Sequence, residues 1–171
     1  MKVNYYLILL LITLSSAVKA QNSWTEKKLD DKISVKFPKE PEKLVKNGTE
    51  SYILKEPDSV AYSAVAIDLN VLAHLDSATL SQMKDNQEFA DQFMKGVASQ
   101  KPNYTFGDVT IGQWKTFTTY NVSGVDNKTK STLFVQMIII GSKIYTLSCR
   151  IPANMAPNKK EAYFNNVALL K

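Results

Sequence analysis

A side-chain nucleophile at neutral pH needs a base beside it, usually a histidine, and this sequence holds one, His74. Cys149 is the only cysteine and the thiol that could pair with it. His74 stands just before a helical pattern, where a loop or cap role is expected. Cys149 alternates with Leu147 and Ile151, which places it in a core as an unreactive thiol. One histidine and one cysteine cannot supply the four ligands of a structural zinc site. Asp126-Asn127 lies in a polar loop without the spaced carboxylates of a calcium loop, and neither glycine-rich phosphate-binding pattern occurs. The acid pairs Glu40 with Glu42 and Asp30 with Asp31 stand next to lysines and read as solvated surface. Two carboxylates set for glycoside chemistry have no support in the spacing. Trp114 and Tyr120 read as lying on one face of a single strand over residues 113–122, with Thr116 and Thr118 between them, and this face is either core or a candidate binding surface. No catalytic residue, cofactor or metal is expected.

The first twenty residues have the three parts of a secretory signal: Lys2, an apolar run from Tyr5 to Leu14, and a small-residue tail. Val18 and Ala20 suit a peptidase pocket for small side chains, so cleavage is expected between Ala20 and Gln21. An uncleaved anchor would need about 20 apolar residues, and Ser15 and Ser16 end this run first. Removing Lys2 and Lys19 lowers the formal net charge from +5 to +3. Lysines 27, 28, 36, 39, 43 and 46 crowd the early part of the remaining chain, but acidic residues interleave with them, as on an ordinary solvated face. Export and mild charge argue against nucleic acid. The strongest later apolar run, Leu133 to Ile140, is interrupted by Gln136 and stops at Gly141, too short to span a membrane. With no disulfide available, the core must carry stability alone.

Residues 21–31 read as a flexible leader and 32–171 as one domain. Ile33, Val35 and Phe37 alternate with Ser34 and Lys36, the period of a strand with one face inward. Tyr52–Leu54 and Val60–Leu69 pair as a hairpin, with turns at Asn47-Gly48 and Pro57-Asp58. Over residues 76–100 the period shifts to that of one long helix, with Leu80, Met83, Ala90, Phe93, Met94 and Val97 on its apolar side and Asp76, Ser77 or Thr79 as its cap. Strands follow at 104–110 and 113–122, separated by Gly112. Leu133–Ile140 is apolar on both faces and reads as a central strand. Gly141-Ser142 suits a type II′ turn into Lys143–Ile151. Pro157 opens a last helix running through Leu170. The expected fold is α+β, an antiparallel sheet of about six or seven strands with helices on both faces.

This order of elements, with Ile33-Ser34-Val35-Lys36-Phe37-Pro38 near the start and Tyr145-Thr146-Leu147-Ser148-Cys149-Arg150-Ile151-Pro152 leading into Tyr163-Phe164-Asn165-Asn166-Val167, resembles the PsbP-like superfamily. That group of α/β/α sandwiches includes photosystem subunits, DcrB-type envelope proteins and a nuclear Ran-binding import factor. The resemblance implies a shared architecture without shared catalytic residues. The expected function is that of an exported, non-catalytic binding or accessory protein of the bacterial envelope, periplasmic or secreted, with another envelope or secreted protein as partner. The alternatives are a hydrolase with a carboxylate-only site and an immunity or inhibitor protein for a toxin.

Overall fold

The computed structural model describes residues 24–46 and 48–171. The expected signal segment, its Ala20/Gln21 cleavage point and Asn47 of the Asn47-Gly48 turn lie outside the described residues. Among the described residues, eleven strands and four helices follow one another: β1 Thr25–Lys28, β2 Ile33–Phe37, β3 Glu42–Lys46, β4 Thr49–Lys55, β5 Ala61–Asp68, α1 Leu69–Ala73, α2 Ser77–Met83, α3 Gln87–Ser99, β6 Tyr104–Phe106, β7 Thr110–Trp114, β8 Phe117–Asp126, β9 Thr132–Ile140, β10 Lys143–Ile151, α4 Asn158–Phe164 and β11 Val167–Leu169. The main sheet has eight strands in the order β3-β4-β5-β10-β9-β8-β6, with β7 also paired to β8, and every pairing is antiparallel. The α+β class and the antiparallel sheet agree with the sequence reading.

The sheet is buried on both sides. On one face, Leu133, Val135, Met137 and Ile139 of β9 join Tyr120, Val122 and Ile144 under Leu80 of α2 and Ala90 and Met94 of α3. On the other, Ile138 and Ile140 join Tyr145, Leu147, Cys149 and Ile151, the face of β10 read from its alternation. That second face is covered by α4 and by a separate three-stranded sheet, β1-β2-β11, whose Ile33, Val35 and Phe37 point into the same core. Its covering layer is therefore mixed rather than purely helical. Gly141 takes a left-handed φ of +62° where β9 turns into β10, which an L side chain would strain.

Four expectations are corrected. The long helix over 76–100 is two helices. Asp76 caps α2 by accepting from Thr79 N–H, and Asn86 caps α3 by accepting from Glu88 and Phe89 N–H. The break between them is held by Tyr120, whose hydroxyl donates to the Lys84 carbonyl at 2.7 Å, and by Thr118, which donates to Asp85 at 2.6 Å. The last helix stops at Phe164 rather than Leu170, because β2 offers a free edge: Lys36 N–H donates to the Asn166 carbonyl and Val167 pairs with Val35. The strand expected over 113–122 is divided by a two-residue turn at Lys115-Thr116, with Gly112 inside β7 rather than at a boundary. Thr25–Lys28, assigned to a flexible leader, is a strand paired along β2.

The two sheets are joined by Asp30, which the sequence reading left on the surface. Its carboxylate accepts from Lys143 Nζ at 2.8 Å, from the Tyr145 hydroxyl at 2.6 Å, and from the backbone N–H groups of Lys32 and Ile33. Burial opposes its ionisation, but these donors outweigh burial and lower its pKa from an ordinary 3.8 to about 2. A depressed carboxyl stabilises the fold above its unfolded value, and that contribution fades as pH falls through the folded value. Asp30→Asn is therefore expected to lower unfolding free energy at pH 7 by at most about 2 kcal/mol, less where solvent screens the charge. The gap from the parent should close between about pH 4 and pH 2 in urea titrations; a gap independent of pH would contradict this assignment.

Candidate functional site

Tyr163 sets the position of α4. It has no exposed surface, its ring lies 5.4 Å from that of Phe37 and 5.0 Å from that of Tyr62, and its hydroxyl donates to the Ser63 carbonyl at 2.9 Å. With Tyr163 turned into the core, Lys160, Glu161 and Phe164 stand along one flank of the helix as a wall, continued by Asn165 just beyond it. Opposite and below lie Trp114 at the end of β7, Asn121 on β8, and Phe134 and Gln136 on β9. Wall and floor enclose a groove of about 360 Å³, within the roughly 300–1,000 Å³ usual for small-ligand sites.

The floor is polar where the rest of that strand face is apolar. Gln136 occupies the face that otherwise carries Phe134, Ile138 and Ile140. Its Nε2 donates to Asn121 Oδ1 at 3.1 Å, and Asn121 Nδ2 donates in turn to Thr119 Oγ1 at 3.1 Å. Asn121 and Gln136 are direct partners across the β8–β9 ladder. Gly112 makes room for this row, since a Cβ there would lie 3.2 Å from Asn121 Nδ2 and 3.1 Å from Thr119 Oγ1. Gln136 Oε1 is buried and accepts no hydrogen bond. Leaving such an acceptor unsatisfied costs about 1–3 kcal/mol. The charges of the wall are matched: Lys160 Nζ lies 2.7 Å from Glu161 and 4.6 Å from the centre of the Phe134 ring.

The chain is similar to solved structures of low sequence identity. The solution structure of cyanobacterial PsbP (CyanoP) from Synechocystis sp. PCC 6803 superposes with a TM-score of 0.62 at 12% identity, over 88% of this chain and 95% of that one. The chain has the PsbP-like fold. A crystal structure from Bacteroides thetaiotaomicron VPI-5482 matches with a TM-score of 0.48 at 12% identity, over 81% of this chain, which spans 45% of that one. LpqN, described as involved in cell envelope biogenesis of Mycobacterium tuberculosis, matches with a TM-score of 0.47 at 12% identity, over 89% of this chain and 88% of that one. No family model matches the sequence, and no curated protein is similar to it.

The two residues expected to share a binding face are separated. Trp114 packs with the core beneath α4, while Tyr120 is fully buried on the opposite face, where its hydroxyl holds the α2–α3 break. The turn at Lys115-Thr116 inverts the alternation between them, so only Trp114 reaches the groove. His74 is exposed and closes α1 in a left-handed conformation. Cys149 is fully buried on β10, about 20 Å along the strand from the end where α1 begins. Burial raises its thiol to about 12. Glu56 and Asp58 converge on Lys159, which forms an ion pair with each, and Lys27 and Lys43 of the basic early segment pair with Glu40 and Glu50. Among the described residues, no group of three or more acids, histidines or cysteines could hold a metal.

In the sequence, Gln136 stands as a polar interruption of an apolar strand. That interruption is the signal it carried. Gln136→Leu removes an unsatisfied acceptor at an otherwise apolar position and is expected to leave thermal stability unchanged or raised by up to about 1 kcal/mol. A loss of more than about 1 kcal/mol in denaturant unfolding would show instead that the carboxamide serves the fold.

Proposed function

We propose that this chain is an exported, non-catalytic binding or accessory protein of the bacterial envelope, and that its ligand or partner seats in the groove between α4 and the β7–β8–β9 floor. The observation that carries the reading is the Asn121–Gln136 carboxamide pair, polar groups on the floor of a concave site where the neighbouring strand face is apolar. Polar groups held in place at a stability cost are characteristic of sites that complete their hydrogen bonding with something else. Export is supported by the charge, apolar run and small-residue tail of the first twenty residues. No described helix is long and apolar enough to cross a membrane.

The placement of the acids supports binding over hydrolysis. The groove holds a single carboxylate, Glu161, already paired with Lys160, whereas carboxylate-only hydrolysis uses two acids flanking one bond. Cys149, with its raised thiol and buried position, also lies away from solvent.

Cell fractionation followed by N-terminal sequencing is expected to find the protein outside the cytoplasm with Gln21 as its first residue. In the same fractions, a molecule that co-purifies with the parent chain should be lost from Trp114→Ala and retained by a control substitution at exposed Glu88 on α3. Cytoplasmic protein retaining Met1 would refute export. A co-purifying molecule indifferent to Trp114 would refute the groove.

A further inference from the structure

We infer that the outer edge of β3 pairs antiparallel with β3 of a second copy of this chain, joining two eight-stranded sheets into one. The groove plays no part in this contact. β3 ends the main sheet: its inner side pairs with β4 over five consecutive residues without a bulge, and among the described residues no strand pairs with its outer side. All five residues are exposed. Leu44 and Val45, with Ile53 beside them on β4, are large apolar side chains left in solvent, at 39%, 63% and 37% exposure. A strand edge with unpaired N–H and C=O groups is a template for another strand.

The ladder fixes which backbone groups are free. In an antiparallel sheet, successive residues of a strand direct their bonds alternately to its two neighbours. Glu56 N–H donates to the Val60 carbonyl at 2.8 Å, in line with the register of the β4–β5 pair. Even-numbered residues of β4 therefore bond to β5, and Thr49, Ser51 and Ile53 bond to β3. Their partners there are Lys46, Leu44 and Glu42. The N–H and C=O groups of Lys43 and Val45 are left directed outward.

Antiparallel pairing centred on Leu44 uses those groups. Lys43 then exchanges both backbone bonds with Val45 of the second copy, on each side of a two-fold axis, as a self-complementary dimer interface requires. Leu44 meets its own copy in the pair where side chains approach most closely.

Charge selects this register. Among the described residues, Lys43 is paired with Glu50 at 2.7 Å, while Glu42 and Lys46 have no ion-pair partner. Centring on Leu44 places Glu42 of each copy opposite Lys46 of the other, and such cross-strand pairs stabilise a ladder. Centring on Lys43 would set that lysine against itself, and centring on Val45 would set Lys46 against Leu44.

Sedimentation equilibrium of the purified protein is expected to show a reversible monomer–dimer equilibrium. Glu42→Lys and Lys46→Glu each set like charges opposite one another twice per dimer, and each should raise the dissociation constant about tenfold or more. The double variant carries the same pairs in exchanged order and should return to within about threefold of the parent. Both positions are exposed, so circular dichroism of all three variants should match the parent. In the parent, hydrogen exchange at the Lys43 and Val45 amides should slow as protein concentration rises. A protein that stays monomeric up to about 1 mM would overturn the inference. A dimer indifferent to both single substitutions would place the contact elsewhere and overturn it as well. Failure of the double variant to recover would overturn the Leu44-centred register.

Discussion

Tyr163 packs its ring between Phe37 of the small sheet and Tyr62 of the large one, and its hydroxyl closes on a backbone carbonyl of β5. The last helix and both sheets are registered against each other at this residue. A fully buried aromatic of this size contributes several kcal/mol through packing alone, and its hydrogen bond adds about 1 kcal/mol. The consequence for function is geometric. Because Tyr163 points into the core, Lys160, Glu161 and Phe164 form one side of the groove at the β8–β9 end of the sheet. The groove is what remains when an eight-stranded sheet is covered on that face by a short helix and three short strands.

Asp30 gives the same arrangement a second fixed point. The small sheet touches the large one through apolar side chains, which set distance but little orientation. One carboxylate with four donors from both sheets fixes the relative orientation of the two. Rigid walls matter for a site of this kind, because a ligand held by a few contacts loses affinity if the protein must order itself on binding. Gln136 shows the other side of that balance. Ile138 and Ile140 demonstrate what the strand face accepts when only packing is at stake, and the carboxamide between Phe134 and Ile138 departs from it.

The large elements were legible because burial writes a period into sequence. The alternation of Tyr145, Leu147, Cys149 and Ile151 located one face of β10, and the two-sided apolarity of Leu133 to Ile140 located the central strand. Elements with no buried face left no such trace. β3 is exposed at every position, and β1 is a run of Thr-Glu-Lys-Lys that owes its shape to the edge of β2. The helix break at Lys84–Asn86 was hidden because its cause, Thr118 and Tyr120, lies more than thirty residues away in sequence. The groove was half legible. Trp114 was singled out for its type, but its partner was misassigned because a turn without glycine or proline, at Lys115-Thr116, reversed the alternation. Asn121 and Gln136 could be joined only by strand register, which the sequence does not state.

The most direct test of the central claim is a ¹H–¹⁵N spectrum of the isotopically labelled protein, recorded before and after addition of a soluble extract of the bacterial envelope. Side-chain amide signals of Asn121 and Gln136 and the indole N–H of Trp114 report on the floor of the groove. These signals, with the backbone of Lys160 to Asn165, are expected to shift together and to saturate. Perturbations confined to the β3 edge or to α2 and α3, with the Trp114 and Gln136 signals unmoved, would contradict it.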